Sequence, residues 1–172
     1  RAIATAPWTL PSHASMLTGA YAHRTSATWT TPLDGALPSL PEVLARRGYV
    51  TGAFAANVLY VQWENGLDRG FSRFEDYRIT PGQALMSTGL GRRLITGRFG
   101  WETGMAVRLI GFRQFAGRKL GQQVNDDFLA WRDGVGERPW FAMLNYFDAH
   151  LPYVPPAPFA GYPVENIPAN KA

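Results

Sequence analysis

The chain has 172 residues, 46% hydrophobic and 13% aromatic, which suits one packed domain and excludes a disordered composition. Its 17 Lys and Arg against 13 Asp and Glu leave a net charge of +4, a balance that favours anionic partners, yet no zinc-finger spacing, RNP-like aromatic motif or dense basic run points to nucleic acid. The absence of cysteine excludes disulfides, thiolate metal sites and a cysteine nucleophile, and no stretch is apolar for long enough to span a bilayer.

The start, Arg1-Ala2-Ile3-Ala4, has neither an initiator Met nor a signal-peptide pattern, so both ends are expected to be cut from a longer protein. Pro7 and Pro11 bracket a turn, and Pro11 suits the first turn of a helix because its missing N–H does no harm there. A short helix is predicted through His13, Met16 and Leu17, with Gly19 as its stop. Residues 20–38 read as loop. Ser39 is placed to cap a second helix through Pro41, Val43, Leu44 and Arg47, ending at Gly48. Tyr49 to Ala55 is apolar and partly β-branched and reads as a buried strand, so helix then strand suggests α/β winding.

Asn57 to Tyr77 reads as irregular, with turns at Gly66 and Gly70 and aromatic anchors at Trp63, Phe71, Phe74 and Tyr77. Residues 82–120 are expected to be a helical insertion with a solvated basic side, carrying Arg92, Arg93, Arg98, Arg108, Arg113, Arg118 and Lys119. The same basic side could instead guide an anionic or membrane-associated substrate. Gln122 to Val135 is predicted as an amphipathic helix with Val124, Phe128, Leu129 and Trp131 buried. Arg138-Pro139 breaks it. Trp140 to Phe147 is then a nearly continuous apolar run, as expected of a central parallel strand. From Pro152 onward the chain is proline-rich and irregular.

The segment Pro7-Trp8-Thr9-Leu10-Pro11-Ser12-His13-Ala14-Ser15-Met16-Leu17-Thr18-Gly19 carries the chemistry. A group just before a helix N-terminus faces unpaired N–H groups and the positive end of the helix dipole, which favour an anionic ester and the charge developing on it. The plainer alternative is that Thr9 caps the helix. This segment resembles the signature of the sulfatase family, Cys/Ser-x-Pro-Ser-Arg followed by a short helix and Thr-Gly. In that resemblance Thr9 falls at the nucleophile, Pro11, Ser12, Thr18 and Gly19 match, and His13 replaces the arginine as a substrate contact.

Arg138-Pro139-Trp140-Phe141-Ala142-Met143-Leu144-Asn145-Tyr146-Phe147-Asp148-Ala149-His150-Leu151-Pro152-Tyr153 is similar to the aromatic strand and Asp-x-His-x-Pro-Tyr loop of sulfatase-like proteins. The resemblance implies that His150 contacts the ester or protonates its leaving group. It leaves Asp148 to contact substrate, orient His150 or stabilise the loop. Gly48-Tyr49-Val50-Thr51-Gly52-Ala53-Phe54-Ala55-Ala56-Asn57 resembles the strand that leads to Gly-Lys-Trp-His in many sulfatases, but Ala56 and Val58 stand where the sulfate-contacting Lys and His would be. Asn57 is the polar group left there, as a substrate contact or a turn former. Gly66-Leu67-Asp68-Arg69-Gly70-Phe71 and Phe74-Glu75-Asp76-Tyr77 are also sulfatase-like and are given structural work. His23 is expected outside the site.

The resemblance implies an α/β fold of the alkaline-phosphatase-like type, a mainly parallel sheet flanked by helices, with residues 1–172 forming one partial catalytic domain. It implies an enzyme acting on small or lipid- or glycan-linked anionic esters. It implies one or two divalent metals (Ca²⁺, Mg²⁺, Mn²⁺ or Zn²⁺), with Thr9 as one ligand and the others outside this stretch. Threonine carries a methyl group on Cβ and cannot give formylglycine, which disfavours a formylglycine sulfatase. A Thr nucleophile is instead expected on phosphate esters, by hydrolysis or transfer. The alternatives are a sulfuric ester hydrolase and a non-catalytic domain that binds anionic glycans or lipid headgroups.

Overall fold

The computed structural model of the chain describes residues 3–57, 60–76 and 119–150. Helix α1 spans Thr9–Thr18, α2 Leu40–Arg46 and α3 Gly121–Val135. Strands β1, β2 and β3 span Val50–Ala55, Arg73–Glu75 and Trp140–Asn145. Single 3₁₀ turns occupy Ala22–Arg24 and Trp63–Asn65. Most of the expected insertion at 82–120, Tyr77 and the proline-rich end lie outside the described residues.

The three strands form one parallel sheet in the order β2-β1-β3. β1 and β3 pair along their whole length, from Val50 opposite Trp140 to Ala55 opposite Asn145. The two strands predicted from their apolar runs are therefore neighbours and parallel, as an α/β core requires. The 57–77 stretch is less irregular than expected, because Arg73–Glu75 adds a third strand beside Gly52–Phe54. Three residues are too few for alternation to register as a strand signal.

Period-2 alternation along β1 sorts the core into two layers. Ala53 and Ala55, with Met143 of β3, pack against Leu10, Ala14 and Leu17 of α1. Phe54 and Ala56 face the other way, against Val124 and the half-buried Phe128 and Trp131 of α3. A ten-residue helix is marginal by itself, so burial of Leu10 and Leu17, each worth ~1.5–3 kcal/mol, decides that α1 forms. On the α3 face the rings of Phe54, Phe128, Trp131 and Trp140 meet at centroid separations of 5.6–6.2 Å. Gly52 makes room for them, since a Cβ there would stand 2.9 Å from the Trp131 ring. Leu129, expected inside, is 54% exposed: it falls just past the edge of the narrow stripe set by Val124, Phe128 and Trp131.

Polar clamps fix the connections. Ser39 and Glu42 form a reciprocal capping box at α2, at 3.4 Å and 2.7 Å. Arg69 donates to Glu42 at 2.6 Å and to the Leu37 carbonyl at 2.7 Å, and also reaches the Asp34 carbonyl. The Ser39 hydroxyl donates to the Arg69 carbonyl at 2.9 Å. The 66–71 segment thus does the structural work expected of it. The Ser39 backbone N–H and the Arg69 guanidinium hold the Glu42 carboxyl below its ordinary value.

Lys119 corrects another expectation. It is only 5% exposed, not part of a solvated basic side. Its N–H donates to the Ala56 carbonyl at 2.9 Å, and Nζ lies 3.7 Å from Glu75 and 3.5 Å from Asp127. Burial pulls the ammonium below its ordinary value against the attraction of Glu75 and Asp127. Composition counts a lysine as surface charge; only the fold brings carboxylates from β2 and α3 around it.

Two stability outcomes follow for the full-length protein, read by urea unfolding. Lys119→Met should cost about 1–3 kcal/mol, because it removes the buried cation shared by the half-buried Glu75 and Asp127, while Arg73 still pairs with Glu75. Gly48→Ala and Gly70→Ala both place a side chain at positive φ, 86° and 82°, a conformational cost of roughly 1–2 kcal/mol. Gly70→Ala should lose clearly more, since its Cβ would lie 2.1 Å from the Glu42 nitrogen, whereas Gly48 has open space.

Candidate active site

The chain leaves β1 through Ala56 and Asn57 and leaves β3 through Tyr146, at the carboxyl edge of a parallel sheet, where open α/β folds bind ligands. Asn145, the last residue of β3, ties three elements together there. Its backbone carbonyl accepts from the Ala56 N–H at 2.9 Å and its Oδ1 from the Asn57 N–H at 3.0 Å. Its Nδ2 lies 3.2 Å from Nε2 of His13, and His13 Nδ1 lies 2.8 Å from the Thr9 carbonyl oxygen.

These contacts fix the protonation pattern. A carbonyl only accepts, so Nδ1 carries the proton and donates to Thr9. Nε2 is left as a lone pair that accepts from the Asn145 amide, whose oxygen is committed to Asn57. Protonating Nε2 would set it against an N–H donor. Burial likewise lowers the His13 pKa from its ordinary 6.5, only partly offset by the Thr9 carbonyl. His13 is a neutral strut between α1 and the sheet, with both ring nitrogens engaged.

The strut places the start of α1. The N-cap is Trp8, in extended backbone and without a side-chain cap. Thr9 is the first helical residue, not the cap, so the plainer alternative for it does not hold. The first i→i−4 bond runs from the Ser12 N–H to the Trp8 carbonyl at 3.1 Å. Pro11 has no N–H, which leaves the N–H groups of Thr9 and Leu10 as the open donors of the first turn. An oxygen-bearing N-cap would occupy one of them and stabilise the helix by ~1 kcal/mol; tryptophan forgoes that. The Thr9 hydroxyl is half-buried and has no hydrogen-bond partner among the described residues. At the other end, Thr18 bonds the Ala14 carbonyl at 2.7 Å and Gly19 ends the helix, so the Thr-Gly of the signature is structural.

The remaining candidates have other local partners. Asn57 is buried, and its Oδ1 accepts from the Tyr60 N–H at 3.2 Å, the turn-forming role its residue type also allowed. Asp148 Oδ1 accepts from Gly121 N–H at 3.4 Å, at the first residue of α3. His150 stacks on Phe147 at 4.3 Å, and Phe147 packs against the α3-side core. Thr9, His13 and Asn57 are thus joined through Asn145, while these contacts of Asp148 and His150 run toward α3. His23 stacks on exposed Tyr21. Asn145 was missed in the sequence, although an amide closing the apolar run from Trp140 was its signal. Among the described residues no three His, Asp or Glu side chains gather as a metal site, so these residues do not by themselves fit the metal centre the resemblance implies.

A parallel sheet with helices on both faces and a helix N-terminus at its carboxyl edge is a partial alkaline-phosphatase-like α/β fold. Residues 1–171 match the sulfatase family model, and the chain belongs to the sulfatase family. The crystal structure of a phosphonate monoester hydrolase of Agrobacterium radiobacter is similar in fold, with a TM-score of 0.53 at 20% identity over 91% of this chain. The match covers 34% of that enzyme, so the chain spans about a third of its length. No curated protein matches the chain.

Asn145→Leu should destabilise the full-length protein by roughly 2–4 kcal/mol, because it removes the amide that bonds both His13 Nε2 and the Asn57 N–H. His13 adds an acid sensitivity. Above pH 6.5 it is neutral folded and unfolded and contributes no slope. Below 6.5 the unfolded chain takes up the proton first, so stability falls with pH until the lower folded value is passed. Chemical denaturation from pH 7.5 downward should show a shallower loss in His13→Gln than in wild type.

Proposed function

We propose that the intact protein is a hydrolase or transferase of phosphate esters in which Thr9 is the nucleophile. The observation that carries this is the placement of Thr9: first residue of an uncapped helix, hydroxyl without a partner among the described residues, beside two open N–H donors at the sheet's carboxyl edge. Donors held in that geometry favour negative charge developing on an ester oxygen. Membership of the sulfatase family and the phosphonate monoester hydrolase fold support ester chemistry of this kind.

In this reading the Thr9 hydroxyl gives its proton to bulk water as its oxygen attacks phosphorus, a Thr9 O–P bond forms, and the P–O bond to the leaving alcohol breaks. The family resemblance gives His150 the proton transfer to that alcohol, although its stacking on Phe147 sets it on the α3 side; water or an acceptor alcohol then takes the phosphoryl group, returning a proton to the Thr9 oxygen. His13 acts as a positioning residue, holding the Thr9 carbonyl and hence the start of α1. Asn57 shapes the neighbouring turn and Asp148 the loop that carries His150. Dependence on a divalent metal, held through Thr9 and ligands outside the described residues, is part of the proposal. Phosphoryl is favoured over sulfuryl because Thr9 cannot become formylglycine and Ala56 and Val58 remove the family's sulfate contacts.

The test uses the full-length, metal-loaded protein on an aryl phosphate diester, a phosphate monoester, an aryl phosphonate and an aryl sulfate. Thr9→Ala should lower kcat/KM at least ~10³-fold with the fold intact, and Thr9→Ser should keep measurable turnover. A Thr9-dependent preference for the sulfate would overturn the phosphoryl assignment. Undiminished turnover in Thr9→Ala would overturn the nucleophile. Chelation should abolish activity, and a divalent cation should restore it.

A further inference from the structure

Tryptophan is among the most highly buried residues on average, yet Trp8 and Trp29 are 56% and 58% exposed and stack on each other, with ring centroids 5.9 Å apart and planes 30° from parallel. Neither is there by loop slack. Trp29 sits on a turn closed by Thr28, whose N–H donates to the Thr31 carbonyl at 3.0 Å. The Thr28 hydroxyl accepts from the N–H groups of Thr30 and Thr31, at 3.2 Å and 2.9 Å. The base of the same loop is pinned by Ser26, whose hydroxyl bonds the Pro32 carbonyl and the Asp34 N–H. Trp8 is the N-cap of α1 and is bonded directly to Thr9. At that position a short oxygen-bearing side chain would accept from one of the helix's open N–H groups; Trp8 makes no such cap and brings an exposed indole within one residue of Thr9.

The geometry points to Trp8 and Trp29 as a stacking platform for the organic group of the ester: a ring with a flat apolar face, held while the anionic group sits on the first turn of α1. An aryl ring and the apolar face of a sugar share this chemistry, because both stack on an indole. The proposal deepens the Thr9 assignment and rests on it. It divides the substrate between two neighbouring features, the N–H donors of Thr9 and Leu10 for the anion and the paired indoles for the ring.

The experiment compares phenyl, glucosyl and methyl esters that carry one common methylphosphonyl group, in the metal-loaded full-length protein. The readout is the kcat/KM ratio of each ring ester to the methyl ester. Trp29→Ala should lower the preferred ring's ratio at least tenfold, mainly through KM, and Trp29→Phe should keep it within about threefold of wild type. The phenyl and glucosyl arms identify which ring is preferred. A ratio unchanged in Trp29→Ala would overturn the platform. If Tm falls as well, the indoles pack against the rest of the protein instead. Should Trp29→Ala fold poorly, Trp29→Leu replaces it, keeping apolar volume without a ring face, and the same tenfold criterion applies. Turnover that survives in Thr9→Ala while the ratio still falls in Trp29→Ala would break the nucleophile assignment and leave the platform; the converse would break the platform alone.

Discussion

The Asn145 amide is the constraint on which the rest of the site depends. One side chain accepts from the strand that leaves the sheet beside it and donates to the helix that brings Thr9. Apolar packing of Leu10, Ala14 and Leu17 holds α1 on the sheet, but packing is non-directional and tolerates sliding. The chain of hydrogen bonds from Asn57 through Asn145 and His13 to the Thr9 carbonyl sets the position of the helix start. Because each link is a donor–acceptor match in a poorly solvated place, a wrong register leaves buried groups unpaired, which costs more than a typical bond gains.

The same network explains why a histidine can stand where the family signature has arginine. An arginine has five donors and no acceptor and is always charged; it could not accept from the Asn145 amide. The neutral His13 couples two donors and two acceptors in series. What is lost is a fixed positive charge at this position. The open N–H groups of Thr9 and Leu10 remain as the local positive pole. The helix forgoes a side-chain cap to keep them open, a choice that lowers stability and favours an anion.

The sheet was legible because β1 and β3 are apolar runs, β1 buried along nearly its whole length and β3 half-buried around Met143, and α1, α2 and α3 because proline, glycine and a capping box mark their ends. The placement of Thr9 at the start of α1 and of His13 one turn later was legible through the spacing of the signature. The rest depends on contacts between segments far apart in sequence. β2 pairs for only three residues and has no pattern of its own. The Lys119 cluster gathers groups from β2, α3 and the residue itself. Asn145 bonds His13 across 132 positions. Asp148 and His150 follow β3 as their motif suggests, but their stacking and capping toward α3 come from Phe147 and Gly121, which no local motif singles out.

The central claim is that the start of α1 presents Thr9 as a nucleophile to a phosphoryl group. Rapid acid quench of the metal-loaded full-length protein during turnover of an aryl phosphonate, followed by peptide mass spectrometry, tests it most directly. The account predicts a phosphonyl group on the hydroxyl of Thr9, present in wild type during turnover and absent in Thr9→Ala. A phosphonyl group on a different residue, or turnover at full rate with Thr9 unmodified at every quench time, would contradict it.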